Sequence, residues 1–293
     1  MNGSKSVRNL TQGKISSQIL FFAIPVIIGN LLQELYNVVD TLIVGQTLGE
    51  IKLAAVGSTS SLNFFALGFF IGLSAGCSVI TSQHFGANDM ERVKKSVAAH
   101  IIIGVVSAVV LTVSFVLLVN PLLTMLGTTS DTFDYASRYL TIIYLGIPAT
   151  MLYNLTASLL RSVGDSKTPL YLLLFSSVMN VGLDLLFIIV FRWDVSGAAI
   201  ATVIGQSTAA VIVMFKGLKK PPKLSKFGHY IKRIYHLGFP NILMQSAYTF
   251  YIFGLNLILK TFSDQAVTVL GLYYKWQSLV FIPLGAMQTC IVP

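Results

Sequence analysis

Eight long apolar runs, separated by short polar connectors, constrain this chain more than any other feature of its sequence. They cover approximately residues 17–44, 53–82, 96–119, 133–160, 169–191, 198–215, 235–259 and 267–293. A bilayer core needs about 20 apolar residues per crossing helix, so each run is long enough to span. The runs are nearly continuous rather than alternating with period two, which selects helices over a β-barrel. Composition agrees: 54% of the 293 residues are hydrophobic and 11% charged, where a soluble domain has about 45–50% and about 25%. So few charges cannot clothe a water-facing surface, and the expected fold is an all-α membrane protein, a helical bundle embedded in lipid. The net charge of +9 does not suggest nucleic acid, because the bases punctuate the apolar runs instead of gathering on a soluble face. Cys77 and Cys290 both sit in apolar stretches, with no disulfide framework or CxxC spacing. His84, His100, His229 and His236 have no carboxylate or cysteine at ligand spacing, so no metal site is expected. Lys5, Arg8 and Lys14 precede the first run as in a signal peptide, but that run continues to about Val44 without a cleavage pattern and reads as a membrane helix.

The connectors assign sidedness. Three bases lie in the N-terminal tail, three between residues 83 and 95, two in 161–168 and seven in 216–233, fifteen on one side. Lys52, Arg138, Arg192 and Lys260 make four on the other, which places the N-terminus in the cytoplasm of a multi-pass plasma-membrane protein. The basic linker also separates two similar openings: FAIPVII at 22–28 matches LGFPNIL at 237–243, with Pro25 over Pro240. Internal repeats of this kind mark secondary transporters, and a completed duplication at this offset would need about 430 residues. The expected organisation is a six-helix lobe over 1–215, a cytoplasmic linker over 216–234 and the first two helices of a second lobe over 235–293. A chain that stops at Pro293 inside an apolar segment reads as a fragment or as a portion of the whole.

Three carboxylates fall well inside the runs: Glu34, Asp40 and Asp184. An acid at membrane depth costs several kcal/mol unless it is paired, hydrated or neutralised, so each is a functional candidate. Asp40 lies about 6 Å and Asp184 about 10 Å from the outer ends of their helices at a rise of about 1.5 Å per residue. Asn180 shares the Asp184 face one turn away, and Thr202 sits about four residues into the next helix. These four oxygen-bearing groups converge on one depth and suit a shared proton or a small hard cation such as Na+. The alternative is that Asn180 and Asp184 only tie helices together, a task normally given to Ser, Thr or Asn. Tyr36 and Tyr139 are placed to support the carboxylates through their phenols, with an interfacial aromatic belt as the alternative for Tyr139. Gln33, Asn37 and Asn154 are expected to line a central cavity. Glu34 lies about 120° round the helix from Asp40 and receives no role. Gly68, Gly72 and Gly76 form overlapping GxxxG motifs for close helix packing, and Pro25, Pro148 and Pro240 are expected to kink their helices. Lys275 is the only base expected well inside a span.

Six phrases carry a family resemblance: PVIIGNLLQELYNVVDTLIVG (25–45), LAAVG (53–57), SQHFGAND (82–89), LRSVGDSKTP (160–169), MNVGLDLLF (179–187) and GAAIAT (197–202). In their order and spacing they resemble the MATE multidrug and toxic-compound extrusion transporters. The Asp on helix one with the Asn and Asp on helix five is similar to the DNA-damage-inducible-F type branch of bacteria and archaea. The resemblance implies a twelve-helix fold of two six-helix lobes, of which this sequence supplies eight helices. It also implies antiport of organic cations against H+ or Na+ by a monomeric, non-enzymatic carrier with no cofactor beyond the coupling ion. A lipid-linked saccharide flippase of the wider fold family is the first alternative, though it calls for several cavity-facing bases. An intramembrane aspartyl protease is the second, and its YD and GxGD motifs are missing. A Walker-type phosphate loop is also missing, against an ATP-driven pump.

Overall fold

A computed structural model describes residues 14–217 and 228–291, and between them the chain is almost wholly helical. The elements are α1 (Ile15–Leu48), α2 (Glu50–Ser58), α3 (Ser60–Gly86), α4 (Met90–Met125), α5 (Ser130–Leu145), α6 (Ile147–Ser162), α7 (Lys167–Asp184), a π-helical turn (Leu185–Val190), α8 (Asp194–Gly217), α9 (Gly228–Lys260) and α10 (Asp264–Ile291). They form eight columns at the expected positions. Among the described residues five helices are long and apolar enough to cross a membrane, and α5 with α6 makes a sixth as one span bent by 48°. Helices α9 and α10, of 33 and 28 residues, occupy the remaining two positions.

Local chemistry explains where the columns start, bend and stop. Gly49 at φ 87° ends α1, a left-handed conformation that glycine adopts without a Cβ penalty. The α5–α6 bend falls at Gly146, followed by Pro148 in the first turn of α6, where its missing N–H is harmless. In LRSVGDSKTP, Gly164 at φ 86° turns the chain. The Asp165 carboxylate then accepts from the Thr168 N–H at 3.0 Å and the Thr168 hydroxyl at 2.6 Å, capping α7. Asp89 caps α4 in the same way, accepting from the Arg92 N–H at 3.0 Å. Lys52 pairs with Asp194 at 2.8 Å and lies over the Tyr135 ring, tying the α1–α2 corner to the start of α8.

Two boundaries differ from expectation. Helix α8 runs through Gly217 and α9 starts at Gly228, so residues 216–217 and 228–234 of the expected linker are helical. Hydropathy marks where a helix enters lipid, whereas Tyr230 against His84 and the fully buried Ile234 extend it into the polar zone. The rest of that linker, 218–227 with Pro221 and Pro222, lies outside the described residues, as do Lys5 and Arg8. Pro25 and Pro240 each sit within one continuous helix.

Burial is arranged for lipid. Val105, Val106, Val109, Val110, Val113 and Leu117 of α4 share one stripe and are more than half exposed, while Ala99, Ile103, Phe115, Val119 and Leu123 face inward. Exposed apolar side chains are costly in water and natural against acyl chains. The main core joins α3, α4, α5 and α6 and admits Ile234 of α9. A second cluster near the α1–α2 corner joins Val44, Tyr139, Ile188, Val195, Ala198 and Ala199. A third seats α10 on the N-terminal half of α1 through Phe22, Ala23, Val26, Ala286 and Cys290.

The glycines of α3 set the other seam to the repeat. A Cβ at Gly72 would lie 2.5 Å from Ile242 Cγ1 and 2.7 Å from the Ile242 nitrogen of α9, and one at Gly76 would lie 2.6 Å from the Ile234 carbonyl oxygen. The backbones of α3 and α9 therefore meet directly, as small residues allow in membranes.

Candidate functional site

The site is built where α1, α7 and α8 meet, in the half of the bundle that carries the α1–α2 corner. Apolar neighbours on all three helices exclude water, leaving Asp184 fully buried and Asn180 and Asp40 nearly so. The Asp40 and Asp184 carboxyls lie within hydrogen-bonding reach of each other. Each keeps one buried oxygen, Oδ1, with no partner among the described residues. Two carboxylates in such contact and burial cannot both carry charge without a cation or proton between them.

Asn180 joins this pair to α8. With its amide turned so that nitrogen faces the carboxylate, it donates to Asp184 Oδ2 at 3.0 Å and accepts from the Thr202 N–H at 3.1 Å. That orientation matches donor to acceptor on both sides, whereas the opposite one sets oxygen against oxygen. Tyr36 reaches the Thr202 hydroxyl, and both Tyr36 and Tyr139 lie close enough to Asp40 and Asp184 to feel their charge. The structure thus brings Asp40, Asn180, Asp184, Thr202, Tyr36 and Tyr139 together. Tyr139 is buried in the apolar cluster with Val44, Ile188 and Val195 rather than in an interfacial belt, because α5 packs against α2 and α8.

A cavity of about 510 Å³ lies inward of this site. It touches the site at Tyr36, Asn180 and Thr202, and Gln33 and Asn154 are in its wall. Asn37 is not: it is exposed, and its carbonyl accepts from the Thr41 hydroxyl at 2.7 Å. Gln33, one turn earlier, and Tyr36, the preceding residue, are both in the wall, so the wall passes Asn37 by. Glu34 is half-buried and also outside the wall. A hydrogen bond between Thr150 of α6 and Gln206 of α8 crosses the cavity wall. Lys275 has no described side-chain position.

Three features had little or no sequence signal. The π-helical turn begins immediately after Asp184, a distortion that recurs at functional sites and has no composition of its own. The Thr150–Gln206 contact joins residues 56 apart. Arg161 reads as a loop base by the positive-inside count, yet it sits in the last turn of α6 with its side chain in the cavity wall.

Residues 25–186 match the family profile MatE. The chain is 30% identical to the probable multidrug resistance protein YpnP of Bacillus subtilis (strain 168), over 97% of this chain and 65% of that protein. It is 25% identical to the multidrug export protein MepA of Staphylococcus aureus (strain NCTC 8325 / PS 47), over 88% of this chain and 58% of that one. A solved MOP superfamily transporter from Pyrococcus furiosus, described as having a binding pocket of reversed polarity, superposes with TM-score 0.91 at 25% identity, covering 99% of this chain and 66% of its own. The chain therefore spans about two thirds or less of the length of each.

Proposed function

As a chain that belongs to the MatE family, this protein is one that we propose exports organic cations by antiport when it is part of the full-length transporter, with a proton bound between Asp40 and Asp184 as the coupling ion. The carrying observation is the contact between two buried carboxyls, each with its Oδ1 lacking a partner among the described residues. A shared proton satisfies both groups and removes one charge from a low-dielectric site. The proton is favoured over sodium because in its satisfied orientation Asn180 turns its amide nitrogen, a donor that cannot ligate a metal ion, toward Asp184. Reprotonation and drug occupancy then exclude each other through charge, since the cavity reaches the same Asn180 and Thr202.

The test uses the full-length protein in sealed vesicles loaded with a fluorescent organic cation. Efflux driven by an imposed proton gradient and unaffected by a sodium gradient is the expected result, and efflux driven by sodium alone would falsify the proton assignment.

The same reading places the N-terminus and the α3–α4 turn in the cytoplasm. Cysteine introduced at Asn88, exposed in that turn, is expected to resist an impermeant thiol reagent in intact cells, and cysteine at Gln46 to react. The native Cys77 and Cys290 are buried and give a low background. Labelling at position 88 with none at 46 inverts the orientation.

A further inference from the structure

Among its described lining residues the cavity holds a single charged side chain, and it is a cation, Arg161. Asp40 and Asp184 stand behind the wall, so the charge a solute meets inside the cavity is positive. Arg161 is half-buried and makes no ion pair among the described residues. The titratable groups near enough to act on it are Tyr153 and Cys290, neither of them a carboxylate. A guanidinium removed from water without a counter-ion is costly, and its planar fork fits a carboxylate or phosphate with two parallel hydrogen bonds.

A second group points the same way. The Ser74 hydroxyl of α3 is buried without a hydrogen-bond partner, although Ser74 is in the cavity wall. It stands beside α6 one turn before Arg161, because the Ser158 hydroxyl donates to the Ser74 carbonyl at 2.9 Å. A spare donor and an unpaired guanidinium on adjoining helices are the equipment of an anion subsite. From Thr150, level with Gln206 near the carboxylate pair, α6 runs eleven residues, about 16 Å, to Arg161. The two charged ends of the transport path are thus well separated.

We propose that Arg161, assisted by the Ser74 hydroxyl, is an oxyanion-binding subsite, and that the molecules this transporter prefers are amphipathic zwitterions whose carboxylate pairs with Arg161. This rests on reading the cavity as the substrate path. A base that merely snorkels toward the cytoplasmic headgroups would give no such preference.

The test compares a cationic rhodamine dye bearing a free carboxylate with its ethyl ester, titrated by fluorescence anisotropy onto full-length protein in phosphatidylcholine vesicles. The carboxylate form is expected to bind about tenfold more tightly than the ester, the scale of one charge-assisted contact. Arg161→Gln is expected to bring that ratio to about one, and Ser74→Ala to lower it about threefold. A ratio of one in the unaltered protein, or one unchanged by Arg161→Gln, overturns the proposal. If Arg161→Gln binds neither dye, Arg161→Lys decides: a lowered ratio supports the subsite and an unchanged ratio overturns it. Repeating the titration with phosphatidylglycerol present separates the sources of anion. A ratio that collapses there gives Arg161 to a lipid phosphate and overturns the assignment to a solute. Failure of proton-driven ester efflux in the unaltered protein would instead strike the antiport reading and leave the binding ratio standing.

Discussion

Asp40→Asn in the full-length protein is expected to lower proton-driven efflux on the order of a hundredfold, the upper end of coupling free energies of about 1–3 kcal/mol. Asp184→Asn is expected to do the same. Asparagine keeps the volume and polarity of each site and removes only the ionisable proton position, so packing survives while coupling does not. The two carboxyls are in contact, and either alone with an amide partner has no like charge to relieve. The double variant is therefore expected to lose little more than each single, as groups that act as one unit do. Efflux rates under a fixed proton gradient for both singles and the double measure this. Losses that multiply would show two independent sites, and undiminished efflux in Asp40→Asn would remove that residue from the mechanism.

The second large effect concerns the seam between α3 and α9. Gly72→Ala is expected to destabilise the full-length protein by about 1–3 kcal/mol, because its Cβ would meet the Ile242 backbone nitrogen at 2.7 Å and no side-chain rotation clears a backbone atom. Gly104→Ala is the control. Its Cβ would press only on the Leu155 Cδ1 methyl, with the next atom at 3.9 Å, and a rotamer change removes that contact. The expected result is a drop of several degrees in the apparent melting temperature of the detergent-solubilised protein for Gly72→Ala and a drop of about a degree for Gly104→Ala. Equal drops would mean that the seam yields as easily as a side chain does.

Much of this protein was legible because the bilayer makes local sequence decisive. Every backbone polar group in hydrocarbon must be satisfied within its own helix, so an apolar run of sufficient length fixes both the element and its place. The cost of a buried acid likewise singles out Asp40 and Asp184 before any fold is known. Spacing put Asn180 on the Asp184 face, and turn chemistry at Gly164 and Asp165 is local enough to read from the motif. Tertiary structure decided the rest. Whether Tyr139 lies in a belt or beside the carboxylates depends on the packing of α5 against α2 and α8, which sets the direction of a face that composition leaves open. Gln33 enters the cavity wall and Asn37, one turn on, does not, because the boundary is drawn by several helices together and not by the face of α1 alone. The orientation of the Asn180 amide is set by what Asp184 and the Thr202 N–H present from two helices at once. Arg161 counts as a loop base in sequence, and only the packing of α6 against α3 and α8 makes it the one charge among the described residues of the cavity wall. Helix formation in lipid is a property of each segment, whereas which side chains meet is a property of the packing between segments, and the carboxylate pair, the cavity and its cation all belong to the second.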